Sequence, residues 1–108
     1  MRIHNNYIHD MPEGDASGLY LDELSTQCVE ENNVIVNSWR PFHNHKAKAC
    51  LIRNNTVMRD AGEMVVNMND CRDMDIYGNR FIGPGKVEVK GLKDTNHFHD
   101  NLEFGTKA

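Results

Sequence analysis

Alternation of apolar and polar positions divides the chain into short extended segments, none with a helical period. GLYLDE (18–23), EMVVNM (63–68) and GKVEVK (85–90) alternate along their length and carry β-branched residues. That is the pattern of strands with one buried face. Between and around them stand IHNNYI (3–8), EENNVI (30–35), IRNNTV (52–57), IYGNRF (76–81) and FHDNLE (98–103). All five fit one scheme: an extended pair, a two-residue corner ending in asparagine, and a second extended pair. The corner asparagines are Asn6, Asn33, Asn55, Asn79 and Asn101, spaced 27, 22, 24 and 22 residues apart. Recurrence at so narrow a spacing marks a structural repeat. The period suits leucine-rich repeats, but their leucine pattern is absent, and helical repeats are longer. Each repeat holds three short strands and no helix. The reading is therefore an all-β chain, a parallel β-helix of about four to five coils, forming a single domain over 1–108.

The corner has a physical reason. A sharp bend between strands needs a left-handed residue, and asparagine adopts that conformation most readily after glycine. The expectation is that the corner asparagines themselves take it. Stacked about 4.8 Å apart, their amides can hydrogen-bond along the column.

Alignment on the corner yields the core. Three positions before it stand Ile3, Glu30, Ile52, Ile76 and Phe98; two positions after it, Ile8, Ile35, Val57, Phe81 and Glu103; five before it, Met1, Cys28, Cys50, Met74 and Asn96. On the longer strand Leu19, Leu21, Met64, Val66, Met68, Val87 and Val89 are expected to point inward. Glu30 and Glu103 break the rule. A buried carboxylate is costly unless paired, so a bulge turning Val29 inward is expected at the first, and an inward Phe104 at the second.

Composition narrows the class. The chain has 108 residues, 12 Lys+Arg against 16 Asp+Glu, and a formal net charge of −4. That balance argues against a general nucleic-acid binder. No apolar run reaches the roughly 18 residues of a membrane span. The first ten residues, MRIHNNYIHD, lack the charged and apolar regions of a signal peptide. Thirteen asparagines are a surplus that the repeat explains. Three cysteines, Cys28, Cys50 and Cys71, are odd in number and form no CxxC pair, so they read as small buried side chains. The repeat begins and ends part-way through a coil with no capping helix, so the chain is expected to be part of a longer protein or to form a homo-oligomer.

IHNNYIHDM…GLYLDE…VEENNVIVNS…CLIRNNTV resembles the right-handed parallel β-helix repeat proteins, the superfamily of pectate lyases, polygalacturonase-like glycosidases and phage tailspikes. The resemblance covers nearly the whole chain. It rests on corner and core positions, so it implies the fold more than an activity. It also implies saccharide binding along the outer face of the first strand stack, that of the longer strands such as GLYLDE, beside the long loops. Calcium is common in that superfamily and enters by this analogy only; no cofactor or metal is otherwise expected.

Candidate chemistry gathers where the connections are long. His9–Ser17 and Asn37–Ala47 read as long loops, Arg59–Glu63 and Gly83–Gly85 as short ones. Long loops on a rigid scaffold are the default place for binding. They group His9, Asp10, Glu13, Asp15, Tyr20, Asp22, Glu23, Trp39, Arg40, His43, His45, Lys46 and Lys48. Alternation turns Tyr20 and Asp22 outward, with Val65, Asn67, Glu88 and Lys90 continuing that face. Catalytic candidates are Asp22, His43 and Lys46, since neighbours tune a carboxyl and an imidazole for proton transfer. Asp10 and Asp22 are the first carboxylate pair to test for glycoside hydrolysis. Substrate-binding candidates are Asp10, Tyr20, Trp39, Arg40, His45, Lys48 and Asn67, with Trp39 and Phe42 as stacking surfaces. The HxH pairs His43/His45 and His97/His99 lack a third metal ligand at fixed spacing. Stacking is expected to bring His97 near Asp75 and His99 near Tyr77. Glu31 and Arg53 read as a surface ion pair worth little.

Three functions follow: a carbohydrate-binding or structural module, a small polysaccharide lyase or glycosidase, and a tailspike-like assembly module. The first is preferred, because the mixture of signs names no reaction. The expected partner is a polysaccharide, with no nucleic acid and no membrane.

Overall fold

The computed structural model describes residues 1–9, 17–23 and 25–105. Among them there is no helix, and all strands pair in parallel within three sheets. The first sheet stacks β1 (Arg2–His4), β4 (Val29–Glu31), β7 (Leu51–Arg53), β10 (Asp75–Tyr77) and β13 (His97–His99). The second stacks β2 (Tyr7–Ile8), β5 (Val34–Val36), β8 (Thr56–Met58), β11 (Arg80–Ile82) and β14 (Leu102–Phe104). The third stacks the longer strands β3 (Ser17–Leu21), β6 (Arg40–His45), β9 (Met64–Asn69) and β12 (Val87–Lys90). One strand from each sheet makes a coil, so the chain is a parallel β-solenoid of about four turns ending in β13 and β14.

Register places like residues above one another. Ile3, Glu30, Ile52, Ile76 and Phe98 form one inward column. Ile8, Ile35, Val57 and Phe81 form the next, continued in register by the exposed Glu103. Leu19, Phe42, Val66 and Val89 form a third, beside Leu21, Asn44 and Met68. Edge-on packing of Phe42 on Phe81, centroids 6.4 Å apart, ties the second sheet to the third. Each large apolar side chain buried in these columns contributes about 1.5–3 kcal/mol over its exposed state.

The corner asparagines form a continuous ladder. Asn6 Nδ2 donates to Asn33 Oδ1 at 3.0 Å, Asn33 to Asn55 at 3.0 Å, Asn55 to Asn79 at 2.9 Å and Asn79 to Asn101 at 3.0 Å. Each Oδ1 also accepts the backbone N–H of the preceding asparagine, at 2.9–3.1 Å. The remaining amide hydrogen reaches back to a carbonyl of the coil before, as in Asn55 Nδ2 to Glu30 O at 3.1 Å.

The left-handed residue is not the ladder asparagine, as the sequence suggested, but the one before it. Asn5, Asn32, Asn54, Gly78 and Asp100 have φ of 56°, 55°, 55°, 67° and 53°. The ladder residue is thereby left free to turn its amide inward along the column. At Gly78 a Cβ would come within 2.6 Å of Asn54 Oδ1, so a larger residue there would require that amide to turn aside.

A second corner follows the third sheet, with Gln27, Ala49 and Asp73 at φ of 54°, 56° and 54°. Here too the next residue is capped from the following coil: Cys28 N–H donates to Cys50 Sγ at 3.4 Å, and Met74 N–H to Asn96 Oδ1 at 3.1 Å. Cys28, Cys50 and Cys71 are free and buried, as expected, while Met1 is 72% exposed.

Four expectations are corrected. Residues 37–47 are not a long loop but contain β6, because Phe42 and Asn44 continue the inward columns. No bulge turns Val29 inward; Glu30 keeps the register of Ile3 and Ile52 and is fully buried. Phe104 does not turn inward but is 48% exposed, while Glu103 keeps the register of Phe81. Val65 is in register with Glu88, which was expected on the outer face, yet it is buried.

Candidate functional site

The third sheet presents its outward positions in columns. Tyr20, His43, Asn67 and Lys90 lie in register across four coils, with His45 and Asn69 beside them. These residues project because their neighbours along each strand fill the core, the period of two that any strand imposes. Tyr20 stacks on His43 with centroids 4.3 Å apart and planes 12° from parallel. Burial in this stack, the Arg40 guanidinium and His45 lower the His43 pKa, against a smaller opposing pull from Asp22. The imidazole is therefore neutral at neutral pH.

Asp22 accepts the Glu23 backbone N–H at 2.7 Å, and its Oδ1 lies 3.5 Å from His45 Nδ1. The Glu23 amide, then the Tyr20 hydroxyl and His45, hold its pKa below the ordinary carboxylate value. An ionised carboxylate accepts hydrogen bonds and does not serve as a general acid. Lys46 pairs with Glu23 at 3.3 Å, an exposed pair of small energetic weight. Arg40 Nε donates to Ser17 Oγ at 3.0 Å, and its guanidinium lies 5.1 Å from the Trp39 ring centroid. Asn67 Oδ1 accepts the Asn69 N–H at 3.0 Å.

The structure thus brings together Tyr20 with His43, Asp22 with His45, and Arg40 with Trp39. Asp22 takes His45 as its imidazole partner, and Lys46 is held by Glu23. Lys48 forms isolated bridges with Thr26 and Arg72 at the second corner, away from the long-strand sheet. Phe42, expected as a stacking surface, is fully buried. Asp10, Glu13 and Asp15 lie outside the described residues, and the Asp10–Asp22 pair with them. A hollow of about 780 Å³ opens beside Lys46, Asp70, Arg72 and Lys93, not over Tyr20 and His43. Among the described residues no group of three His, Cys, Asp or Glu is placed to hold a metal.

A second polar column, on the outer face of the first sheet, is richer than the sequence suggested. His4, Glu31, Arg53, Tyr77 and His99 lie in register. Glu31 is not one half of an exposed pair. It is 4% exposed and held by Arg2 from the coil before and by Arg53 Nε from the coil after, at 2.9 Å. These two guanidinium groups, Arg2 first, lower its pKa. Arg53 Nη1 also donates to the Tyr77 hydroxyl at 3.2 Å. Tyr77 stacks on His99 at 5.4 Å, as expected. Asp75 is in register with His97 but bonds His99 Nε2 at 2.7 Å, while Asp100 bonds Nδ1 at 2.8 Å. Asp100, then Asp75, raise the His99 pKa. Only the register of the repeat signals this column, because its partners come from coils 22–29 residues apart.

The fold defines the chain as a parallel β-helix module. No protein-family model, curated protein or solved structure matches it.

Proposed function

We propose that this module binds carbohydrate along the outer face of the third sheet, in the manner of the pectate-lyase-like superfamily that its sequence resembles. The observation that carries this reading is the outward column of Tyr20, His43, Asn67 and Lys90, flanked by Asp22 with His45 and by Arg40 with Trp39. Ring edges, an amide, a carboxylate and cations set at the strand spacing of about 4.8 Å offer repeated hydrogen-bonding groups to an extended saccharide. Tyr20 and His43 each cover one face of the other's ring, and Tyr20 remains 49% exposed.

Binding without turnover is favoured over catalysis. Asp22 is ionised and already accepts the Glu23 N–H, so it has no proton to offer as a general acid, and Lys46 is paired with Glu23. A glycan array on the wild type, Tyr20→Ala and His43→Ala, coupled to reducing-sugar and unsaturated-uronate assays, tests the proposal. Binding that both substitutions weaken at least tenfold, with no product released, is expected. An array without ligands, or binding indifferent to both substitutions, overturns it. Product formation transfers the site to the lyase or glycosidase reading.

A further inference from the structure

The described core holds two side chains with unmatched buried polar atoms, and both belong to the second coil: both oxygens of Glu30 and Oδ1 of Asn44. Glu30 is fully buried, with Ile3 above it and Ile52 below. The coil above contributes only partly buried side chains to that column and the next, Ile3 and Ile8. Glu30 therefore lies one layer beneath one end of the described core. Nothing there compensates a charge. The other ionisable groups turned inward beside it are the thiols of Cys28 and Cys50, and burial pushes Cys50 up to about 11, so it is uncharged. The inward positions facing it on β3, β5 and β6 are Leu19, Leu21, Ile35, Phe42 and Asn44, none of them ionisable. Arg2, Glu31 and Arg53 stand on the opposite face of their strands.

We propose that Glu30 is a proton-operated catch for the first coil, which closes over the core when the acid is protonated and loosens to hydrate the carboxylate when it is ionised. An isolated buried carboxylate cannot stay charged in an apolar interior. It either keeps its proton or gains access to water, and the shortest route to water is to lift β1 and β3 from β4 and β6.

The direction follows from linkage. Burial raises Glu30 from 4.5 to about 8 in the closed solenoid, and once exposed it returns to its ordinary value. Closure is therefore fully favoured below the lower value. Opening becomes about tenfold easier per pH unit between the two and levels off above the higher, a gain of about three and a half orders of magnitude. The first coil also carries Tyr20 and Asp22. On the saccharide reading above, the same catch would make ligand binding tighter in acid.

Amide hydrogen exchange, corrected for the intrinsic pH dependence of exchange, tests the catch without any ligand, so failure of the saccharide reading leaves its outcome intact. The proteins are the full chain as wild type, Glu30→Gln and Glu30→Ile. The last continues the isoleucine column and keeps the test open should the glutamine variant fail to fold. In the wild type, opening of β1 and β3 should rise steeply from mildly acidic to mildly alkaline pH, while β9 and β12 change little. Both variants should be flat. A flat wild type, an equal slope in either variant, or an equal slope in every coil overturns the proposal.

Discussion

Asn33 donates both its side-chain amide and its backbone N–H to a single oxygen, Asn55 Oδ1, each at 3.0 Å. Asn55 in turn spends its own amide on Asn79 Oδ1 and the Glu30 carbonyl. Four hydrogen bonds thus converge on one buried side chain, and Asn55→Ala strands buried partners on both sides. The expected loss is about 3 kcal/mol or more, since each buried group left unpaired costs about 1–3 kcal/mol. Asn6→Ala, at the exposed end of the ladder, should cost about 1 kcal/mol or less. Urea denaturation of both variants at matched slope checks the ranking. Equal losses would mean that the ladder is not cooperative.

Glu31 sits next to Glu30 in sequence and has the opposite electrostatic fate. Its pKa is lowered by Arg2 and Arg53, so the stability it contributes is present above the ordinary carboxylate value and is lost as pH falls through the depressed one. Acid should weaken the wild type more than Glu31→Gln. Because Glu31 joins three coils, the variant should also lose the coupling between Arg2 and Arg53. A double-mutant cycle of Arg2→Ala and Arg53→Ala, run in both backgrounds, measures it. Coupling that survives in the glutamine background would show that the link does not run through Glu31.

How far the sequence discloses these features depends on whether one residue type does one job. The ladder corner is legible because an amide that must donate and accept selects asparagine in every coil. The second corner is hidden because its capping atom is sulfur at Cys50 and an amide oxygen at Asn96, so no single letter repeats. Residues 40–45 read as loop since Pro41 and alternating polar residues obscure the apolar face, yet Phe42 and Asn44 hold the inward register. Glu30 reads as a displaced residue because an unpaired buried acid is expensive. Parallel pairing on both sides of β4 pins the register and leaves it no other place. The partners Tyr20–His43 and Asp22–His45 follow from strand register, and the register of β6 is what the loop reading loses.

His99 stands between Asp100 and Asp75, and both raise its pKa above the ordinary imidazole value. A raised histidine stabilises the fold fully below its unfolded pKa and loses that contribution as pH rises through the folded one. Titration of the His99 ring by NMR should show a midpoint above that of the unfolded chain. Asp75→Asn and Asp100→Asn should each move it down, with Asp100→Asn having the larger effect. An unshifted midpoint in the wild type would mean that neither carboxylate bond persists in solution.

The three thiols are buried, and each donates to the carbonyl two residues earlier, Cys28 to Thr26, Cys50 to Lys48 and Cys71 to Asn69, at 3.6, 3.3 and 3.6 Å. Burial pushes Cys50 up to about 11 and raises Cys71 as well. Since the thiolate is the reactive species, native protein at neutral pH should resist a maleimide or an aromatic disulfide reagent. All three sites should label at once in denaturant. Mass spectrometry of the partly labelled protein gives a sharper check. Cys28 belongs to the second coil, directly under the first, whereas Cys71 is enclosed two coils further along. If the upper end of the solenoid opens more readily than its middle, Cys28 should label before Cys71, and mildly alkaline pH should widen the interval. Glu30→Ile should remove the part of that widening that exceeds the ordinary pH dependence of thiol ionisation. Labelling of Cys71 first would place the weakest layer at the other end.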